Sequence, residues 1–204
     1  TIDRIAQEGI DSGISIKPTA MGLKFDEVLA LEVVEHVVSR AQSKGMFVRI
    51  DMEDSPVTQQ TYDLYRELRR RGYENIGVVM QAYLRRTMID ARELGAEGAN
   101  VRLCKGIYIE PRKICYKDYH LVRDSFVDAM EALMRGDGTY TAVATHDDYL
   151  AYHGRRLVRE LGLGSDRYEF QMLLGVDEML RKILIEEGHG MRVYVPFGAR
   201  WHGY

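Results

Sequence analysis

The sequence predicts an α/β fold, a (β/α)8 barrel of the TIM type, from two features of its pattern. Short apolar, β-rich segments alternate with longer segments of helical periodicity along the chain. Nearly apolar strands separated by helices favour a parallel sheet that is covered on both faces. No GxGxxG follows the first strand and no Walker motif occurs, which argues against a nucleotide-binding open sheet.

Seven segments have the composition of strands, and their number suits a barrel better than an open sheet. The predicted strands are residues 14–17, 47–52, 78–82, 100–105, 141–145, 168–171 and 191–195. Seven strands are one fewer than a closed barrel has, so we expect the first strand and the last helix of the fold to be missing from this chain. Residues 1–204 are therefore predicted to form a single barrel domain that is incomplete at both ends.

Three of the intervening segments, 26–44, 57–71 and 118–134, have clear helical periodicity. In the first, a single stripe holds Val28, Leu31, Val34, Val37 and Val38. Glycines are expected to end the helices and lead into the following strands, as is usual in αβ connections. These are Gly45, Gly72, Gly95 and Gly98.

Composition excludes several classes of protein. The net charge is −3 and no basic run or RNA-binding aromatic motif occurs, which argues against a nucleic-acid partner. The two cysteines form neither a CxxC pair nor a disulfide framework, which fits a reducing compartment. No apolar segment approaches the length of a membrane span.

Polar side chains stand at the ends of nearly all predicted strands, where the reacting groups of such barrels lie. They are Lys17, Asp51, Glu53, Asp54, Gln81, Arg102, Lys105 and His146. Gln81 and Arg102 interrupt strands that should be buried, and a buried arginine needs a counter-charge. Asp51 is the natural partner of Arg102, and such a pair would hold a planar donor group for a delocalised anion or a heteroaromatic ring.

Other chemistries are less well supported by these residues. Asp51, Glu53 and His146 do not have the spacing of a metal site, so no metal is predicted. No serine or cysteine stands in a nucleophile elbow with a histidine. A Schiff base on Lys105 or Lys17, as in barrel aldolases and lyases, stays open as an alternative.

Seven motifs together resemble the catalytic barrel of proline dehydrogenase, a flavoenzyme family. In chain order they are IKPTAMG, RIDMEDS, VMQAYLRR, ANVRLCKGIYIEP, ATHD, FQMLLG and RVYVPFGARWHGY. The chain departs from the family pattern locally at Cys104, Ile107 and Leu174. The family also continues beyond the position of Tyr204 with a helix that carries an arginine pair, so an alternative is a barrel that binds flavin without turnover.

The resemblance implies FAD-dependent oxidation of L-proline to Δ1-pyrroline-5-carboxylate, the first step of proline catabolism, with hydride passing from proline C5 to flavin N5. It implies that Arg102 lies near flavin N5 and that Asp51 holds it. Further FAD contacts are implied for Gln81, Lys105, Gly106, Thr145 and His146. Lys17 would bind the substrate carboxylate, and the walls around the substrate would be Leu173, Tyr194 and Tyr204.

The resemblance also implies partners and a location. The small-molecule substrate is L-proline, and the electron acceptor is expected to be a membrane quinone. The protein is then expected in the cytoplasm, or peripheral to the inner membrane, on the matrix side in a mitochondrion.

Overall fold

The computed structural model describes residues 1–196, and its centre is a sheet of seven parallel strands. The strands are β1 (Ile14–Ile16), β2 (Val48–Ile50), β3 (Ile76–Gln81), β4 (Asn100–Cys104), β5 (Tyr140–Ala144), β6 (Tyr168–Leu173) and β7 (Met191–Tyr194). Each strand pairs with its neighbour in chain order. The predicted parallel barrel architecture is confirmed.

Helices alternate with these strands. They are α1 (Ile2–Gln7), α2 (Glu27–Gln42), α3 (Thr58–Arg70), α4 (Thr87–Ala96), α5 (Tyr119–Arg135), α6 (Asp148–Leu161) and α7 (Glu178–Glu186). Aspartates cap the N-termini of α2, α5, α6 and α7 by accepting backbone N–H groups. Among residues 1–196, no helix combines the length and the apolar composition that crossing a bilayer requires.

The hydrophobic core lies between the outer face of the sheet and the helices. Strand residues such as Ile50, Val78, Val101 and Val143 are fully buried there and belong to one cluster with helix residues such as Phe126. Side chains on a strand alternate between its two faces, so the residues between these point the other way. Packing of this outer layer holds the strands in place, and the inward-facing side chains project from these strands.

The inner face of the sheet is polar, which differs from the expectation of strands that are apolar on both faces. Arg102 on β4 contacts Ser15, Asp51, Gln171 and Tyr194, which belong to or directly follow four other strands. Such contacts between strands that are not neighbours require the sheet to curl into a barrel wall. Its concave side is the place for a site.

Two details of the helices were predicted wrongly. Val28 is 68% exposed, whereas Ala30 and Ala41 are buried, because the core-facing stripe of α2 runs through its alanines. Gly95 lies inside α4 instead of ending it, and the turn that follows contains Gly98 with φ +62°.

Candidate active site

Arg102 is at the centre of the concave face. Its Nη1 donates to Asp51 Oδ1 at 2.9 Å, its Nε donates to Gln171 Oε1 at 2.5 Å, and its Nη2 donates to Ser15 Oγ at 3.3 Å. The guanidinium also lies 5.4 Å from the centroid of the Tyr194 ring. The predicted Asp51–Arg102 pair is therefore present, and two of its supports come from residues to which no role was assigned.

The hydrogen bonds of Arg102 leave part of its donor capacity unused. A guanidinium has five N–H groups, and partners among residues 1–196 accept three of them. Within that part of the chain, one N–H on each terminal nitrogen has no acceptor. Only 13% of the Arg102 side chain is exposed, so these donors face a largely desolvated space.

Asp51 is the carboxylate of this group. Burial raises its pKa above the ordinary value, while the positive charges of Arg102, Lys17 and Arg49 act in the opposite direction. Lys17 follows β1 and shares the strand face of Ser15, which places it on the Arg102 side of the sheet. The structure thus brings the two predicted cations together around one carboxylate.

Arg49 forms a second layer below Arg102 and is only 3% exposed. Its Nη1 donates to the carbonyl oxygens of Val78 and Asn100, at 3.0 and 2.8 Å. Burial lowers the pKa of Arg49 to about 9. Gly77 makes room for it, because a Cβ there would collide with Arg49 Nη1 and would lie 2.6 Å from the Asn100 oxygen.

Gln171 and Glu169 connect Arg102 to β7. The Gln171 Nε2 donates to Glu169 Oε1 at 2.5 Å, and both side chains are buried. Arg192 Nε in turn donates to the two oxygens of Glu169 at 3.2 and 3.1 Å. A continuous hydrogen-bonded chain therefore runs from β7 through β6 to the guanidinium on β4.

A second charged cluster surrounds Asp147, at the ends of β4 and β5. Lys105 Nζ and Arg123 Nη2 donate to its two oxygens at 2.5 and 2.6 Å, and the Tyr119 hydroxyl donates at 3.0 Å. Burial raises the pKa of Asp147, but hydrogen bonds from Arg123, Lys105 and Tyr119 outweigh burial and hold that pKa well below its ordinary value. Within this hydrogen-bonded cluster, two cations share one carboxylate.

The neighbouring predicted residues lie beside this second cluster. Thr145 Oγ1 accepts from the backbone N–H of Asp147 at 3.1 Å. His146 Nε2 accepts from the backbone N–H of Leu173 at 2.8 Å, and burial lowers the pKa of His146. Gly106 has φ +105°, and a side chain there would collide with the Tyr83 ring, so this turn requires glycine.

Gln81 and the loops around it close the rim of the barrel. Gln81 Nε2 donates to the Glu53 carbonyl oxygen at 2.8 Å. The Glu53 carboxylate accepts from the backbone N–H and the hydroxyl of Thr19, and the Glu110 carboxylate binds Ser55 in the same two ways. These ties fix the loops after β1, β2 and β4 relative to one another.

The predicted site residues fall into two groups. Arg102, Asp51 and Tyr194 are in contact and Lys17 is electrostatically coupled to Asp51, whereas Lys105 belongs to the Asp147 cluster. Gly106, Thr145 and His146 lie beside that cluster, Gln81 is tied to the rim, and Leu173 is 41% exposed. Tyr204 lies outside the described residues. Among residues 1–196, no three His, Cys, Asp or Glu side chains are grouped as metal ligands.

Sequence reasoning assigned no role to several residues of these networks, five of which carry most of the hydrogen bonds around the two clusters. They are Arg49, Arg123, Asp147, Glu169 and Gln171. Alternation within the strands was the available signal, because Arg49 and Asp51, like Glu169 and Gln171, stand two residues apart on one face. Cys104 lies two residues after Arg102 on β4 and therefore shares its face.

Comparison with known sequences places these motifs in a family. The family model described as "Proline dehydrogenase" matches residues 1–203. Proline dehydrogenase 2 of Bacillus subtilis (strain 168) is 36% identical over 204 residues, which are 100% of this chain and 67% of that protein. Proline dehydrogenase 1 of the same strain is 38% identical over 203 residues, again 100% of this chain and 67% of that protein. The chain thus spans about two thirds of the length of these relatives.

Solved structures share the fold. Proline utilization A from Bdellovibrio bacteriovorus superposes with a TM-score of 0.88 at 23% identity, over 99% of this chain and 26% of that one. The Bradyrhizobium japonicum protein of the same name gives 0.86 at 20% identity, over 97% and 24% of the two chains. These similarities concern the barrel alone, since the chain spans about a quarter of each of those proteins.

Proposed function

Since the chain belongs to the proline dehydrogenase family of oxidoreductases, we propose that it oxidises L-proline to Δ1-pyrroline-5-carboxylate with FAD as the hydride acceptor. The observation that supports this most directly is the Arg102 guanidinium. Its three nitrogens are each hydrogen-bonded, and two of its N–H groups have no acceptor among residues 1–196. A preorganised cation of this kind suits a reaction in which negative charge develops on a planar ring.

The donor set fits FAD. Among residues 1–196, the concave face holds the cations Lys17, Arg49, Arg102 and Arg192 and the carboxylates Asp51, Glu53 and Glu169, so these groups have one formal positive charge in excess. The Asp147 cluster adds a second excess, because Lys105 and Arg123 share one carboxylate. An anionic flavin ring near the first group and a diphosphate near the second would balance both.

Each residue of the site has a proposed role in this reaction. Bound FAD supplies the two-electron acceptor. Arg102 stabilises the developing negative charge, and Asp51 holds Arg102 in place. Lys17 binds the proline carboxylate, while Tyr194 and Leu173 exclude water from the reacting carbon. Gln81, Lys105, Gly106, Thr145 and His146 are proposed to hold the cofactor, and Tyr204 to close the substrate side.

Physiological electron transfer is proposed to end on a membrane quinone. This places the protein in the cytoplasm or at the surface of the inner membrane. The proposal rests on the family resemblance.

The Schiff-base alternative finds less support in the geometry. Its nucleophile must be a free amine, whereas Lys105 Nζ is bound to the Asp147 carboxylate at 2.5 Å. Borohydride treatment with a carbonyl substrate would trap an imine on Lys105 or Lys17 if that alternative held.

The visible spectrum of the purified protein, followed by dye-coupled proline turnover, tests the proposal. We expect a flavin absorption band that bleaches when L-proline is added without an acceptor. A flavin band that proline does not bleach would point to the barrel that binds flavin without turnover. A colourless protein that FAD does not reconstitute would overturn the proposal.

A further inference from the structure

We infer that Gln171 is a positioning residue that fixes the plane of the Arg102 guanidinium without adding a second negative charge beside it. The catalytic effect of this positioning rests on the proposed function, in which Arg102 stabilises negative charge on the flavin. Gln171 lies on β6, two strands away from Arg102, and is 4% exposed. Its Oε1 accepts the Arg102 Nε–H at 2.5 Å.

The orientation of the Gln171 amide is set by its other neighbour. An amide can offer either its oxygen or its NH2 group to a partner. The Glu169 carboxylate accepts a hydrogen bond from Gln171 Nε2 at 2.5 Å and another from Arg192 Nε at 3.1 Å. The NH2 group must therefore face Glu169, which leaves the oxygen facing Arg102.

Two hydrogen bonds, one at Nη1 and one at Nε, restrict the rotation of the Arg102 guanidinium more than either bond alone would. With Asp51 alone, Arg102 could pivot about the single Nη1–Oδ1 bond. The Gln171 bond to Nε removes this rotation, while Ser15, at 3.3 Å, adds a longer third contact. With the plane of the guanidinium fixed, its other N–H groups keep one orientation, and misdirecting a catalytic donor by about 1 Å can cost on the order of a hundredfold in rate.

An amide suits this position better than a carboxylate. A glutamate at 171 would place a second carboxylate on Arg102, which already pairs with Asp51. It would also stand beside Glu169, so that one of the two carboxyl groups would have to take up a proton. Gln171 therefore holds Arg102 without adding a second negative charge, and Gln171→Met and Gln171→Glu should fail in different ways.

The experiment compares Gln171→Met, Gln171→Glu and, as a matched control, Gln59→Met on the exposed surface of α3. For Gln171→Met we expect the rate of flavin reduction by saturating L-proline to fall about 10- to 100-fold, with a KM within about threefold of the original. For Gln171→Glu we expect the midpoint potential of the bound flavin to shift downward. Gln59→Met should change neither quantity.

A readout that needs no flavin is the Arg102 Nε–H signal in 15N spectra, assigned by its loss in Arg102→Met. We expect this proton to exchange slowly with water in the unaltered protein and faster in Gln171→Met. Fast exchange in the unaltered protein overturns the inference whether or not the variants fold. So does an unchanged flavin reduction rate in a folded Gln171→Met protein. If the unaltered protein itself neither takes up flavin nor oxidises proline, the proposed function fails, and the exchange data still decide whether Gln171 positions Arg102.

Discussion

The Arg102 guanidinium combines low exposure with unused donors, and this makes it the most informative residue to change. Arg102→Met keeps much of the length of the side chain but removes the charge and all five N–H groups. We expect the rate of flavin reduction by proline to fall by about two orders of magnitude or more, the usual scale for one preorganised charge-stabilising donor. Proline affinity should change less.

Rapid mixing of the oxidised protein with proline, in the absence of an electron acceptor, measures this rate directly. Arg135→Met, which removes only a surface ion pair with Glu131, is the matched control. A rate for Arg102→Met within a factor of a few of the control would make Arg102 a structural residue.

Lys17 is expected to act on binding more than on chemistry, because the proline carboxylate keeps its charge during hydride transfer. Removing one charge-assisted contact costs on the order of 1.5 to 3 kcal/mol, so Lys17→Met should raise KM about 10- to 100-fold and lower kcat less. Saturation curves with proline measure both constants. Lys24→Met is the control in the same loop, where Lys24 forms an exposed ion pair with Asp54. An unchanged KM would remove Lys17 from the site, and complete loss of turnover would favour the Schiff base.

Among the contacts between individual side chains, the sequence predicted one well and gave no indication of others. The Asp51–Arg102 pair could be predicted because a charge inside an apolar strand demands a partner. The bond from Arg102 to Gln171 joins positions 69 residues apart, and it depends on the curl of the sheet, which no local pattern contains. Asp147 was hidden for another reason, since an aspartate before a helix is adequately explained as a cap.

Strand β3 has a glycine, Gly77, where it passes Arg49, the arginine beneath the site. Gly77→Ala should destabilise the protein by about 1 to 3 kcal/mol, because its Cβ would meet Arg49 and would lie 2.8 Å from Phe47 Cζ. Gly95→Ala in α4 is the contrasting variant. Its nearest contact would be an ordinary 3.5 Å, so it should stabilise the helix by about 0.5 to 1 kcal/mol. Urea unfolding measures both, and equal effects would contradict the packing described around Arg49.

Asp147 joins β5 and α6 to α5 through Arg123, and its stabilising effect should depend on pH. Its pKa is lowered on folding, so its contribution is present above the unfolded value of about 4 and is lost as the pH falls below it. Asparagine caps helices as well as aspartate does, so Asp147→Asn keeps the cap and removes the charge together with one acceptor oxygen. The difference in unfolding free energy between the two proteins should therefore be constant near neutral pH and shrink below about pH 4. A difference that grows toward acid would contradict this assignment.

Element boundaries were predictable because each strand is short and apolar on its outer face, and because the helices between them have a clear apolar periodicity. The predicted segments 26–44 and 118–134 agree with α2 and α5 to within two residues at either end. The polar inner face was not expected as a whole, since single polar residues such as Asn100 or Glu169 can each be explained locally. Their common face becomes evident only when the register pairs the strands.

Across the whole molecule, protection of backbone amides should follow position in the sheet. Strands β3, β4 and β5 have partners on both sides and bury Val78, Val101 and Val143 completely. Within residues 1–196, β1 and β7 pair on one side only, and β7 is partly exposed. Hydrogen exchange followed by mass spectrometry should therefore show the slowest exchange in β3 to β5. Equal protection in β1 and β4 would contradict this gradient.

The fit between Arg49 and Gly77 also restricts the order in which the two positions can change during evolution. A side chain at 77 would meet both Arg49 and the backbone oxygen of Asn100, so shortening residue 49 removes only part of its cost. Substitutions at the two positions should thus be non-additive, and lineages that carry a larger residue at 77 should have lost the arginine first. In a combinatorial library at these two positions that is selected for folding, arginine at 49 and a bulky residue at 77 should never occur together.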